Sequence, residues 1–247
     1  MNFRVIILVI LGVFIGAGAA SAGELAEDLD ISGTIDFSSA YIWRAQTLVD
    51  GPVLQPAANI TYKGFAFDFW SNWDLAEDEE FTEIDYTWSY STSLGFVIPD
   101  EDLLDKIDVT GGYTFYTFPN LDDDDITNEI YFGISLDTLL QPSYTAYWDF
   151  DQGDGWYHEW GIGHSFDLEP ITVDAGISLG LNVEQWGYDT SLTALNFATS
   201  ATIPLDKIFN IEYLKYITVA PHISYSLRLD TQYENEVYGG VAATVAF

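Results

Sequence analysis

The chain contains no cysteine and very few basic residues. Without cysteine, disulfide bonds, thiol nucleophiles and thiolate-bound metals are all excluded. Of 247 residues, only seven are Lys or Arg against 39 Asp or Glu, which gives a formal net charge of −32. Such a balance repels nucleic acid and the phosphate-rich surface of membranes unless divalent cations bridge them, so we expect no nucleic-acid partner.

The first 22 residues have the three parts of a secretory signal peptide. A basic start containing Arg4 is followed by the apolar run 5–16 and by small residues that end at Ala20-Ser21-Ala22. An uncleaved membrane anchor is the alternative, but the apolar run is short for one. We therefore predict that residues 1–22 are removed and that residues 23–247 form one domain with a formal charge of −33, because Arg4 is lost.

Long apolar runs are absent after the signal peptide, and alternation of apolar and polar residues takes their place. No later run reaches the roughly 18 residues of a spanning helix, so a membrane protein here must be a barrel. Residues 171–182, for example, place every apolar side chain on one face of a strand and small or polar ones on the other. The same pattern predicts twelve strands, at 30–43, 53–63, 65–75, 83–97, 107–118, 128–136, 142–150, 156–166, 171–182, 192–203, 217–228 and 237–247.

Alternation alone leaves two fold classes open. A soluble barrel or sandwich buries its apolar face, whereas an outer-membrane barrel turns that face to lipid and keeps a polar lumen. The strand lengths, the even strand number and aromatic residues near strand ends favour the membrane form. The aromatic residues are the pairs Tyr41/Trp43, Trp70/Trp73, Tyr113/Phe115, Tyr147/Trp148 and Trp156/Trp160. We predict an all-β protein, a transmembrane up-and-down antiparallel β-barrel of about twelve strands, in the bacterial outer membrane.

The last strand supports this localisation. It alternates to the end and finishes on Phe247, and such a terminal aromatic resembles the assembly signal of outer-membrane barrels. We therefore expect three partners for the chain: the barrel-assembly machinery through Phe247, outer-membrane lipids with lipopolysaccharide, and small polar or cationic permeants. The oligomeric state stays open.

The few basic residues sort to opposite ends of the predicted barrel. Lys63, Lys106, Lys207 and Lys215 fall in periplasmic turns, whereas Arg44 and Arg228 fall at the outer side with lumen-facing parity. In a closed barrel of twelve strands the two arginines would lie near each other on the inner wall. The residues predicted to line the lumen are Asp36, Arg44, Gln55, Asn59, Asp68, Asn72, Asp74, Asp85, Glu129, Asp149, Glu159, Asp174, Asn182, His222 and Arg228.

These residues favour a channel for small polar solutes or ions. Rings of Asp and Glu select cations, so we expect a cation preference. Polar residues that fill a narrow lumen through ion pairs are the alternative, although twelve strands leave more interior room than eight. A non-conducting structural or adhesive barrel would instead use the acidic loops at 77–80 and 122–125 to bind surface partners.

No residue pattern points to a catalytic site, a cofactor site or a metal site. His222 and Ser224 share one face, as a base and a nucleophile would, but their parity is that of the lumen, and a lipid hydrolase needs the lipid face. The acidic run at 122–125 lacks the spacing and the glycine of a calcium loop. We therefore interpret this run as a solvated surface loop. The alternative is that divalent ions bridge it to the phosphates of lipopolysaccharide.

The N-terminal third resembles a known family. The stretches "SSAYIWRAQ" (38–46), "PVLQPAANITYKGF" (52–65), "WSNWDL" (70–75) and "EIDYTWSY" (83–90) are similar to the TorF-family porins, Gcw_chp-like outer-membrane proteins of Gram-negative bacteria. The resemblance implies a barrel with a channel function and no catalytic residue. The family commonly has Gly after the arginine, where this chain has Ala45.

Arg44 stands directly after Tyr41, Ile42 and Trp43. If residues 30–43 are one strand, Tyr41 and Trp43 face the lipid interface and Arg44 faces the lumen. This arrangement predicts that Arg44 narrows the channel, and that its removal raises cation selectivity without unfolding the barrel.

Overall fold

The computed structural model describes residues 28–76, 80–97, 103–120 and 125–247. Twelve antiparallel strands form a closed barrel, and each strand pairs with its neighbours along the chain until the first pairs with the last. The predicted fold class is thus confirmed. The barrel strands are β1 (Leu29–Ser38), β4 (Val53–Tyr62), β5 (Phe65–Asp74), β6 (Phe81–Ser93), β7 (Ile107–Thr117), β8 (Ile126–Leu136), β9 (Ser143–Asp149), β10 (Gly155–Asp167), β11 (Thr172–Val183), β12 (Ser191–Pro204), β13 (Ile217–Arg228) and β14 (Glu236–Ala246).

Ten of the twelve predicted strands match within two residues at both ends. The prediction for 83–97 was wrong at its end, because Leu94–Val97 forms a short helix. Further short helical turns lie at Leu104–Lys106, Gln185–Gly187, Leu205–Phe209 and Glu212–Leu214. In the described ranges no helix is long and apolar enough to cross a membrane. The predicted signal peptide and most of the acidic loops, at 77–79 and 122–124, lie outside the described residues.

The prediction of one strand over residues 30–43 was wrong. Strand β1 ends at Ser38, and the residues that follow form a separate hairpin of β2 (Tyr41–Trp43) and β3 (Gln46–Val49), with Trp43 opposite Gln46. The hairpin makes its own two-stranded sheet and is not paired with the barrel wall. Its two turn residues, Arg44 and Ala45, both have positive φ, 50° and 67°, as a two-residue hairpin turn with right-handed twist requires.

The side chains on the barrel wall follow the alternation of the sequence. Outward positions carry a belt of exposed apolar and aromatic residues, such as Phe132 on β8 and Ile223 on β13, which are 54% and 53% exposed. Inward positions carry small and polar residues that bond across neighbouring strands, such as Thr34 to Thr244 at 2.8 Å. A soluble barrel has the opposite arrangement, so the apolar belt matches a barrel that is surrounded by lipid.

The predicted interfacial aromatics divide between the two faces. Trp156 and Trp160 are exposed on the outer surface, and their rings stack with His158 between them. Tyr41 and Trp43 were predicted to face lipid, but they lie in the hairpin, and Tyr41 packs against Trp70 inside the barrel. This prediction failed because the hairpin leaves the wall after Ser38, so strand parity no longer applies to it.

The two ends of the barrel differ in their connections and basic residues. The upper rim carries the connections at 39–52, 150–154, 184–190 and 229–235, and the described residues 75–76, 80, 118–120 and 125. The lower rim carries Leu29, Phe247 and the remaining turns. The predicted sorting is confirmed: Lys63, Lys106, Lys207 and Lys215 lie at the lower rim, and Arg44 and Arg228 lie at the upper end.

Charged substitutions on adjacent residues of β13 test which face meets lipid. We expect Ile223→Arg to lower the free energy of unfolding by about 2–4 kcal/mol, because the position is mid-strand on the outer face. Ser224→Arg, one residue along and facing the lumen, is expected to change it by less than about 1 kcal/mol. Urea unfolding in lipid vesicles measures both. Equal decreases in the free energy of unfolding in the two variants would contradict a lipid-facing belt.

Candidate pore and the hairpin that occupies it

The tip of the hairpin reaches the wall on the far side of the lumen. Arg44 forms a two-pronged ion pair with Glu129 on β8, from Nη1 to Oε2 at 2.6 Å and from Nη2 to Oε1 at 2.8 Å. Strand β8 lies five strands from β1 around the barrel. The side chains of Arg44 and Glu129 are only 8% and 1% exposed. Arg44 thus crosses the lumen instead of lining its wall.

Glu129 is fully satisfied by its neighbours. Besides Arg44, its Oε1 accepts a hydrogen bond from the Tyr116 hydroxyl at 3.0 Å, and its Oε2 accepts one from Gln185 Nε2 at 3.2 Å. Gln185 also accepts from Arg44 Nη1 at 2.9 Å through its Oε1. A buried carboxylate is tolerated when every oxygen is bonded and a cation faces it, and Glu129 meets both conditions.

Gln185 is placed by an unusual turn after β11. Its neighbours Glu184, Trp186 and Gly187 have φ values of 59°, 58° and 74°. For residues other than glycine such values cost about 1–3 kcal/mol each and persist only where the surroundings impose them. Gly155 makes room for this turn, since a Cβ there would lie 2.4 Å from the Gln185 backbone nitrogen. The turn thereby holds an amide side chain that is 0% exposed against the ion pair.

Three aromatic rings complete the surroundings of Arg44. Its Cζ atom lies 4.3 Å from the ring centre of Trp43, 4.4 Å from that of Tyr147 and 4.7 Å from that of Tyr157. Such rings attract a cation through their faces, the more so away from water. Burial disfavours the charged guanidinium, but Glu129 outweighs this effect, so the pKa of Arg44 lies above its ordinary value. We call Glu129, Gln185, Tyr116, Tyr147 and Tyr157 the Arg44 cage.

The base of the hairpin is packed as well as its tip. Tyr41 and Val49 form a buried cluster with Val53 of β4, and Trp70 packs against it. Burial raises the pKa of the Tyr41 hydroxyl, which is hydrogen-bonded to Glu83 and stays protonated as its donor. At the tip, beside Arg44, Ala45 packs against Ala194 of β12 and Tyr233 of the last upper loop.

The hairpin fills the lumen at the level of Glu129. In the described part of the chain, every barrel strand except β14 contributes an inward side chain less than 9% exposed near this level. They are Ser38, Val53, Asn72, Glu83, Tyr116, Glu129, Asp149, Tyr157, Asn182, Thr193 and Ser226. The predicted lining residues Asn72, Glu129, Asp149 and Asn182 belong to this packed layer.

Cavities lie on both sides of the hairpin. The upper one has a volume of about 320 Å³ and is lined by rings of Phe118, Trp186 and Tyr188 with the carboxylate of Asp125. The lower one, of about 390 Å³, is lined by Arg44, by the rings of Tyr147 and Tyr157, and by polar residues such as Glu159, Ser178 and Asn196. Trp43 and Tyr116 line both cavities and meet edge to face at 6.3 Å. They form the partition between them.

Further predicted lining residues have hydrogen-bonded partners across the wall below the hairpin. Asp36 bonds His222 at 2.9 Å, Asp68 accepts from Asn59 at 2.6 Å, and Gln55 donates to Asn72 at 3.0 Å. Glu159 accepts from Ser178 at 3.2 Å, and Asp174 accepts from Ser165 at 2.5 Å. Asp85 lies inward on β6 beside Tyr116, and Asp74 lies at the upper end of β5, where it accepts from the Ala76 backbone.

The two arginines have separate partners. Arg228 donates to the backbone oxygen of Tyr233 at 3.2 Å, within the loop that follows its own strand. Arg44 is drawn to the opposite wall because Glu129 and the aromatic faces lie there. Neither position could be deduced from strand parity, which gives the face of a residue but not the path of a loop.

His222 and Ser224 both face the lumen, as predicted. His222 Nε2 bonds Asp36, and Ser224 lies opposite Tyr238 on β14. Among the described residues no group of three or more His, Cys, Asp or Glu could hold a metal ion. A lipid-hydrolysing site would need the outer face, which neither residue reaches.

Sequence reasoning missed Gln185, Tyr116, Tyr147 and Tyr157. Tyr147 has the parity of the lumen, opposite to Trp148, and could have been assigned to the interior from the alternation alone. Gln185 carried no such signal, because it lies in a turn outside the strand pattern. Residues 50–52, Asp-Gly-Pro, do mark a break just after the hairpin, as turn residues do.

Comparison with known proteins gives only distant likenesses. No family model matches the chain, and no curated protein matches it. Among solved structures, an outer-membrane channel from Pseudomonas putida F1 aligns with a TM-score of 0.46 at 11% identity, over 90% of this chain and 97% of that one. A NanC porin aligns with a TM-score of 0.47 at 12% identity, over 89% and 98%.

The translocator domain of autotransporter NalP from Neisseria meningitidis aligns with a TM-score of 0.39 at 10% identity, over 97% of this chain and 96% of that one. All three TM-scores are below 0.5, so we draw nothing from them, and the strand pairing of the chain itself defines the fold. Membership of the TorF family stays a prediction.

Truncation of Arg44 tests whether the ion pair stabilises only the hairpin or the barrel strands as well. Removing one partner of a buried pair costs about 3–5 kcal/mol, which corresponds to roughly 100- to 4,000-fold in a local opening equilibrium. We expect the amides of β2 and β3 in Arg44→Ala to exchange hydrogen faster by about this factor, with barrel strands unchanged. Thr47→Ala, which loses one exposed hydrogen bond to Glu236, is the control. Equal loss of protection in the barrel would make Arg44 an assembly residue.

Proposed function

We propose that this chain is an outer-membrane channel for small polar solutes or ions, closed near its upper rim by the β2–β3 hairpin. The apolar belt around a polar interior supports the membrane location, with the upper rim outside the cell and the lower rim in the periplasm. No residue is assigned a chemical step.

One observation carries the proposal. The hairpin fills the lumen through side chains alone, since its two strands pair only with each other and not with the wall. An element that is fixed by side-chain contacts can leave the lumen while all the backbone hydrogen bonds between barrel strands stay intact. Below it the interior is a polar cavity, which is suited to the passage of hydrated solutes.

The charge of the lumen favours cations. Arg44, the base that the hairpin carries into the lumen, is neutralised by Glu129. Asp36, Asp68, Glu159 and Asp174 then remain as carboxylates on the wall below the hairpin. A wall of carboxylates attracts cations and repels anions, and its overall effect is strengthened by the net charge of the whole chain.

A reversible cross-link between hairpin and wall tests the proposed closure. Ala45 and Ala194 pack together, and the chain has no native cysteine to interfere. In planar bilayers we expect Ala45→Cys/Ala194→Cys to stay closed when oxidised and to regain wild-type openings on reduction. Adding Arg44→Ala should raise the open fraction of the reduced protein only. Equal conductance in both redox states would show that the hairpin does not close the channel.

Neutralising wall carboxylates tests the cation preference. We expect Asp68→Asn/Glu159→Gln to move the potassium-to-chloride permeability ratio of the open channel toward one, measured as the reversal potential in a KCl gradient. Asp137→Asn, an exposed change in a lower turn, alters the same kind of charge outside the lumen and serves as the control. An unchanged permeability ratio in the double variant would show that these wall carboxylates do not determine the selectivity.

The packed layer at Glu129 also favours a second function. A barrel filled at one level is a structural or adhesive protein if the hairpin never leaves. This alternative predicts no conductance in wild type, in Arg44→Ala or in the reduced cross-linkable variant.

A further inference from the structure

The Arg44 cage has the composition of a receptor for a guanidinium group. Glu129 presents two oxygens to the two nitrogens of the fork, Gln185 adds a third acceptor, and Tyr147 and Tyr157 cover the faces of the planar cation. This geometry suits a flat, forked cation better than a compact ammonium, which cannot bond two carboxylate oxygens in parallel.

The cage is held together without Arg44. The Tyr116 hydroxyl and Gln185 Nε2 each donate to Glu129, and the turn that carries Gln185 is fixed by the bond from the Trp186 backbone nitrogen to the Gly153 oxygen at 2.8 Å. All five cage residues belong to the barrel wall or to another upper loop. If the Arg44 side chain swings out, the acceptors therefore remain in place.

The cage borders both cavities. Tyr116 lines the upper and the lower cavity, and Tyr147 and Tyr157 line the lower one beside Arg44. The rings of the upper cavity and the carboxylate of Asp125 suit the remainder of a cationic molecule that enters from that side. The many acidic residues of the chain raise the local concentration of cations at this surface.

We propose that the Arg44 cage is a binding site for solutes that carry a guanidinium or amidinium group, and that such a solute replaces the Arg44 side chain and thereby loosens the hairpin. Arg44 is then a built-in occupant of the site. The role in opening rests on the proposed channel function, whereas the binding does not.

Because Arg44 is covalently attached to the hairpin, its effective concentration in the cage determines how much free solute is needed to replace it. A side chain on a short linker competes as if present at millimolar concentration or above. The wild-type protein should therefore bind a simple guanidinium solute only in the millimolar range. Arg44→Ala, which frees the cage, should bind it at least about tenfold more tightly for the same reason.

Calorimetric titration of the purified full chain in detergent micelles tests the site. The probe is methylguanidinium chloride at low millimolar concentration, with methylammonium chloride as the control of equal charge. We expect Arg44→Ala to prefer methylguanidinium by at least tenfold, and Arg44→Ala/Glu129→Gln to lose the preference. Binding without a preference, or a preference that survives Glu129→Gln, would overturn the proposal.

Conductance separates this inference from the proposed function. In the wild-type channel, methylguanidinium but not methylammonium should increase the open fraction, and this measurement also serves if Arg44→Ala fails to assemble. Openings that do not respond to methylguanidinium overturn the proposal and leave the channel function standing. If the chain binds methylguanidinium selectively but never conducts, the proposed binding site is supported and the proposed channel function is contradicted.

Discussion

The ion pair between Arg44 and Glu129 determines the state of the interior. Among the described residues it is the ion pair that joins the first loop of the barrel to the opposite wall, and it is nearly shielded from water. It fixes the hairpin tip at the level of the packed layer, between the two cavities. Without the pair, Glu129 would lose its cation, and the hairpin tip would keep only the packing of Ala45 against Ala194 and Tyr233.

Burying charges is costly, and this site offsets the cost through hydrogen bonds and rings. Both carboxylate oxygens of Glu129 have two donors each, and the guanidinium plane is covered by aromatic faces. A positive φ at Ala45 adds strain to the tip, which glycine would relieve. The hairpin thus combines a strong polar anchor with a turn that is not at its lowest energy.

Sequence reasoning reached the barrel but not its interior. Alternation fixes strands and faces because each wall residue must be either inside or outside, which is why β13, at Ile217–Arg228, was predicted to the residue. It failed at Tyr41 and Trp43, whose alternation is the same in a free hairpin as in a wall strand. Arg44 itself was conspicuous as a base in an acidic chain. Its partner could not be chosen from many carboxylates, because that choice depends on the path of a loop through space.

The separation of the pair along the chain has a consequence for assembly. Arg44 precedes Glu129 by 85 residues, and Glu129 lies on the sixth barrel strand. Gln185 follows the ninth. In chain order the hairpin therefore comes before its anchor, which is complete only when the sixth strand and the turn after the ninth have been synthesised. Until then a growing chain lacks the partners that hold the hairpin across the lumen.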